Sequence, residues 1–213
     1  MTTAVVFDLD GVLIDSEQVW DDVREQLARE RGGRWHEGAQ RDMMGMSSPE
    51  WSHYMHDRIG LRESPGEING IVVERMLERY QDGPPWLPGA LDAVRRVADA
   101  FVLGLASSSN RELIDAVLEA GGIAGLFEAT VSSEEVAAGK PAPDVYLEVA
   151  RRLGVEPAEC TAVEDSHNGI RSAKAAGLKC VAIPNPQFPP GDAVAEADVV
   201  LGSLAELTVA ALR

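Results

Sequence analysis

Short apolar runs alternate along the chain with longer segments whose apolar residues recur at helical spacing. The runs cover residues 4–7, 101–106, 129–131, 161–163, 180–183 and 199–201. They are rich in β-branched or other apolar residues and end at polar or turn residues, as strands buried in a parallel sheet do. Between them, residues 89–99, 111–120, 144–153 and 168–176 carry the apolar stripe of an amphipathic helix. The repeated strand–helix alternation predicts an α/β fold built on an open parallel sheet.

One stretch breaks the rhythm. Residues 16–80 hold no convincing strand but several helical patterns, at 19–31, 49–59 and 67–80. Residues 81–89 follow, and their three prolines and two glycines cannot continue a helix. The pattern predicts a helical insertion, or cap, over 16–86. Residues 1–15 and 87–213 then form the sheet core, and the hinges lie at 14–17 and 83–88.

Composition mainly excludes. A chain of 213 residues, 45% hydrophobic and 25% charged, with 2 cysteines, is neither disordered, collagen-like nor a disulfide scaffold. Lys and Arg total 19 against 35 Asp and Glu, a net charge of −16, which makes nucleic acid and anionic membranes poor partners. Any site for a small anion must therefore bring its own cations. With no leader-like N-terminus and no apolar run approaching about 18 residues, the expectation is a cytoplasmic monomer. Cys160 and Cys180 sit inside apolar runs and are expected to be core thiols.

Four strand ends carry polar chemistry. The first reads Asp8-Leu9-Asp10-Gly11-Val12, placing two carboxylates where open α/β sheets bind ligands; the same aspartates would also suit a plain turn. The second reads Ser107-Ser108-Ser109-Asn110, with hydroxyls and helix-start N–H groups suited to an anion, although a lone Ser107 would serve equally as a helix cap. Gly139-Lys140-Pro141-Ala142-Pro143-Asp144 holds one lysine in a rigid frame. Glu164-Asp165-Ser166 closes another apolar run, where Asp165 or Ser166 could also cap the next helix.

These motifs, together with Asn168-Gly169, resemble those of the haloacid dehalogenase-like superfamily, in its phosphatase and phosphomutase branch with an α-helical cap. The resemblance spans essentially the whole chain and implies a Rossmann-like core with the cap inserted after the first motif. It assigns Asp8 as the nucleophile that forms an aspartyl-phosphate, and Asp10 as general acid and then general base. Mg²⁺ would be held by Asp8, the backbone carbonyl of Asp10 and Asp165, with Glu164 orienting its waters. Ser107 and Lys140, with Ser108 beside them, would hold the transferring phosphoryl group.

The resemblance also separates branches. Dehalogenases lack the second aspartate, which is present here as Asp10, and phosphonate hydrolases need a cap lysine, of which residues 16–84 have none. Sugar phosphomutases of the β-phosphoglucomutase type carry a cap arginine just after a Gly-x-Ser stretch, where this chain has Ser48. The expected activity is thus a Mg²⁺-dependent phosphatase acting on a small phosphorylated metabolite, in particular a sugar phosphate. The mutase is the alternative, with Arg41, Arg75 or Arg79 replacing the missing arginine.

Fewer residues of the cap are readable. Glu17 either accepts hydrogen bonds from substrate hydroxyls or is an ordinary first-turn acid. Trp20, Trp35 and Trp51 are expected to be packing residues, His53 and His56 no metal site, and His167 an exposed loop residue near the rim. Two non-enzymatic readings compete. A signalling receiver gathers similar residues but in the reverse chain order, and a silent family member would not keep every catalytic position filled.

Overall fold

The computed structural model describes residues 1–212; Arg213, the last residue of the expected core, lies outside them. Six strands form one sheet: β1 (Ala4–Phe7), β2 (Val102–Ser107), β3 (Phe127–Ser132), β4 (Cys160–Glu164), β5 (Lys179–Ala182) and β6 (Val199–Val200). Their order is β3-β2-β1-β4-β5-β6, and all pairs are parallel. β1 is therefore the switch point from which the chain winds in both directions, the place where α/β sheets open a crevice.

The two-residue period of β1 sorts the core into two layers. Val5 and Phe7 join Leu103, Leu105 and Val163 on one face, under α5 (Ala90–Ala98) and α6 (Arg111–Ala120). Val6 and Ala162 face the other side, under α7 (Asp144–Leu153) and α8 (His167–Ala175), together with Cys160 and Cys180. All four residues of β1 are fully buried, which explains an apolar run without polar alternation. Both cysteines are free buried thiols.

Between β1 and α5 the chain is helical: α1 (Glu17–Glu30), α2 (Ala39–Met43), α3 (Ser48–Tyr54) and α4 (Pro65–Tyr80). α4 packs on both α1 and the core helix α6. Here the structure corrects the expected elements. The five-residue α2 is too short to show a periodicity. The helix expected over 49–59 is instead α3 running into a π-helical turn, Met55–Ile59, which stops at Gly60 with φ +87°. α4 starts two residues earlier than expected, because Ser64 and Glu67 form a capping box and Pro65 occupies the first turn.

The two connections to this helical unit run side by side. Asp15 N–H donates to Pro85 C=O at 2.8 Å and Leu87 N–H to Leu13 C=O at 3.0 Å. Among the described residues no helix is long and apolar enough to cross a membrane.

Candidate active site

The sheet ends build the site. Asp8 continues β1 by one residue, its N–H bonded to Val163 C=O at 3.0 Å, so its carboxylate leaves the sheet beside the end of β4. Three residues on, Gly11 adopts φ +77°, and a Cβ there would stand 2.0 Å from Asp165 Oδ2. Only glycine lets the two loops approach so closely. Gly169 does the same beside Glu164, whose Oε1 lies 1.9 Å from where a Cβ would be.

Lys140 ties the floor together. Its ammonium, buried with only 4% of the residue exposed, lies 3.0 Å from Asp8 Oδ1, 2.6 Å from Glu164 Oε1 and 3.0 Å from Ala106 C=O. Glu164 also accepts from the hydroxyl of Tyr146 on α7 at 2.7 Å. Burial alone would lower the lysine's proton affinity, but Asp8 and Glu164 outweigh it and hold Lys140 above its usual range. It is a fixed cation.

The carboxylates are in excess. Asp8, Glu164 and Asp165 bring oxygens within 4.8 Å of one another, and Asp8 Oδ1 and Asp165 Oδ1 are buried without a hydrogen-bond donor; the Lys140 ammonium 3.0 Å from Asp8 Oδ1 is an ion-pair contact without hydrogen-bond alignment. Burial, and then the Glu164 charge, push Asp8 up to about 8. Burial and Glu164 likewise raise Asp165 well above the carboxylate range. Three carboxylates against one ammonium leave two uncompensated negative charges when all are ionised. A hard divalent cation with oxygen ligands fits that deficit and the two orphaned oxygens.

This predicts a pH dependence. In the cation-free protein Asp8 titrates near 8 when folded and near its ordinary 3.8 when unfolded. The folded chain then holds the extra proton between those values, so stability falls as pH rises through that window. A divalent cation held by these oxygens would compete with this proton. It should raise the thermal midpoint more at pH 8 than at pH 5.5, and an equal shift at both would contradict the clustered-carboxylate account.

Asp10 points away from this cluster. Its Oδ1 accepts from Ser16 Oγ and, at 3.2 Å, from Trp20 Nε1; its Oδ2 accepts from Ser109 Oγ at 2.6 Å and Ser107 Oγ at 3.4 Å. Its side chain is thus not among the grouped carboxylates. Neither aspartate caps a helix. Ser107 is fully buried and accepts from Ser109 N–H at 3.0 Å, whereas Ser108 and Ser109 line the cavity. The helix caps are Asn110 for α6 and Ser166 for α8.

A cavity of about 280 Å³ opens over these groups. Its floor includes Asp8, Asp10, Lys140 and Asp165, and its roof Glu17, Trp20, Arg24, Arg41, Met43, Met44, Met46 and Trp51. Burial and the Asp10 charge push Glu17 up to about 7. His167 reaches the rim, where its Nε2 meets Arg171 at 2.8 Å, and is half-buried as the first residue of α8. His53 and His56 instead bond Pro49 C=O and Glu63 C=O and hold no shared site.

Sequence reasoning named Ser109 only within the serine motif, and it missed Tyr146, Trp20, Trp51 and Arg24. One signal was available: Glu17, Trp20 and Arg24 are spaced i, i+3, i+7 and must share a helix face.

The chain matches the family model for haloacid dehalogenase-like hydrolases over residues 2–177. It is 33% identical to hexitol phosphatase B of Escherichia coli K12, across 96% of this chain and 94% of that protein. In three dimensions it resembles CbbY from Rhodobacter sphaeroides, solved in complex with phosphate, at 27% identity and TM-score 0.88, covering 100% of this chain and 99% of that one. A mutant of CbbY solved with xylulose-(1,5)bisphosphate superposes over the same shares at 26% identity and TM-score 0.87. On the family-model match over most of its length and relatives that share its whole fold, the chain belongs to the haloacid dehalogenase-like hydrolases of the α-helical-cap branch and is a phosphoric monoester hydrolase.

Proposed function

We propose that this protein is a Mg²⁺-dependent phosphatase of small sugar or polyol phosphates that works through an aspartyl-phosphate on Asp8. The observation that carries the reading is the Asp8 carboxylate itself, which faces the cavity with an orphaned Oδ1 beside a fixed lysine cation and two further carboxylates. In this reading residues 16–86 are the cap, and residues 1–15 and 87–213 the catalytic core. The activity that names the hexitol phosphatase relative and the sugar bisphosphate bound by the CbbY mutant point to the same substrate class.

An Asp8 oxygen attacks phosphorus, the ester P–O bond breaks, and Asp10 gives its proton to the leaving alkoxide. Asp10 then takes a proton from water, whose oxygen attacks the same phosphorus; the Asp8–P bond breaks, releasing inorganic phosphate. Mg²⁺, held by Asp8, Asp165 and the Asp10 carbonyl with Glu164 behind, would neutralise charge on the phosphoryl oxygens. Lys140 supplies the protein's own positive charge there, and Ser108 and Ser109 offer hydroxyls at the cavity wall, with Ser107 beneath them. To reach the leaving oxygen, Asp10 must exchange at least one of its four present donors.

Hydrolysis is favoured over the mutase alternative by the arginines. Ser48, at the position of the mutase arginine, is buried and donates to Asn110 Oδ1 at 2.8 Å. Arg75 pairs with Glu30 at 2.6 Å, and Arg79 lines that same separate groove; of the three substitutes only Arg41 borders the cavity.

A panel of phosphate esters with Mg²⁺, scored for free phosphate and for isomerised β-glucose 1-phosphate, tests the reading. Free phosphate from a few polyol or sugar phosphates is expected; isomerisation without release would establish a mutase. Asp10→Asn should slow turnover by roughly 10²–10⁴-fold and let aspartyl-phosphate accumulate, detectable by mass spectrometry. Wild-type rates in that variant would remove Asp10 from proton transfer.

A further inference from the structure

The roof of the cavity contains a charge with no partner. Arg24, on α1, is 7% exposed, makes no hydrogen bond and has no carboxylate in ion-pair contact among the described residues, and its Nε is an orphaned buried donor. Its guanidinium rests against two indoles that touch each other, 4.6 Å from the Trp20 ring and 4.8 Å from the Trp51 ring with the ring centroids 6.0 Å apart, and it borders the cavity. Burial lowers its proton affinity to about 10, against the opposing pull of Glu17, Asp10 and Asp21, so it remains a cation at neutral pH.

A buried cation that stacks on aromatic rings, with its Nε–H orphaned and the rest of its fork turned to the cavity without a protein acceptor, is costly unless something enters to accept from it. Trp20 also donates to Asp10, so the indole that clamps Arg24 is anchored on the candidate general acid. The guanidinium is thereby registered against the reacting end of the cavity. A ligand whose phosphate sits over Asp8 would extend its other end toward this roof.

We infer that Arg24, with Glu17 on the same face of α1, reads the part of the substrate remote from the phosphate, and that this part is a hydroxylated carbon chain or ring rather than a second phosphate. The inference rests on the phosphatase reading above and names the determinant of its substrate class. Each hydroxyl both donates and accepts, which suits a roof offering an acceptor in Glu17 beside the donor forks of Arg24 and Arg41. A second phosphate would bring about two negative charges to a roof that already carries the Glu17 carboxylate. It would also meet the apolar wall of Met43, Met44 and Met46.

The test compares wild type with Arg24→Met and Arg24→Lys on sorbitol 6-phosphate, p-nitrophenyl phosphate and fructose 1,6-bisphosphate, with thermal unfolding in parallel. Arg24→Met should raise KM for sorbitol 6-phosphate with kcat largely kept. Its kcat/KM preference for sorbitol 6-phosphate over p-nitrophenyl phosphate should fall by roughly 10- to 100-fold, while the thermal midpoint holds or rises because an unpaired buried cation has been replaced by an apolar chain. Arg24→Lys, which keeps the charge but loses the planar fork, should recover part of the preference. Equal losses on both monoesters, or a lowered midpoint with an unchanged preference, would mean that Arg24 only packs the roof. A loss confined to the bisphosphate would overturn the hydroxyl assignment in favour of a second anion. Failure of wild type to release phosphate from any of the three esters would instead bring down the phosphatase reading itself.

Discussion

Asp8→Asn is expected to lower kcat by at least about 10⁴-fold while leaving the fold intact. The amide is nearly isosteric with the carboxylate but offers no anionic oxygen to attack phosphorus. Its carbonyl can still face Lys140, so the floor keeps its geometry. The same change removes one carboxylate from a buried group carrying excess negative charge. In the absence of divalent cation the variant should therefore melt at or above the wild-type temperature. This separates a chemical role from a structural one: loss of activity with a lowered midpoint would indicate damage, and retained turnover would exclude Asp8 as nucleophile. Steady-state phosphate release and thermal unfolding on the same preparation read both.

Lys140→Met should act in the opposite direction on stability. Lys140 is the only basic side chain in ion-pair contact with Asp8 and Glu164 among the described residues. Removing it leaves these carboxylates and Asp165 buried and uncompensated, a change that typically costs about 3–5 kcal/mol. The deficit should shrink at low pH, where the carboxylates protonate, and shrink again with Mg²⁺. Turnover should fall by roughly 10²–10³-fold even when the protein is folded with saturating Mg²⁺, because the preorganised charge beside the phosphoryl group is gone. A variant as stable as wild type at pH 8 without divalent cation would show that the three carboxylates are not all ionised there.

Much of the site was legible before any coordinates. Asp8, Glu164 and Asp165 are identified from apolar runs ending in polar residues and Lys140 from its rigid Gly/Pro frame, and all four meet at the carboxyl ends of the strands. Gly11 was visible as a glycine after the second aspartate, though not for the reason the fold supplies, the near contact with Asp165. Tyr146 carried no signal, because a tyrosine on the buried face of an amphipathic helix reads as packing until its hydroxyl is found against Glu164. The serine triplet read as one anion site, yet strand geometry turns Ser107 inward and presents Ser108 and Ser109. Trp20 and Trp51 read as packing, and both also border the cavity.

The strand and helix segments, and the polar residues that end the apolar runs, follow from patterns within short stretches of chain, since alternation, capping and turn chemistry act over a few residues; the strand order does not. The sequence by itself therefore determined which groups lie at the sheet's edge and the family to which they belong. Only the tertiary structure decided their electrostatic state and the reading surface opposite them. Burial raised Asp8 and Asp165, and Asp8 with Glu164 held Lys140 charged. The docking of α1 over the end of β1 hung Trp20 on Asp10 and left Arg24 unpaired. Coulomb energy and desolvation depend on distances between segments far apart in sequence, and no local pattern encodes those.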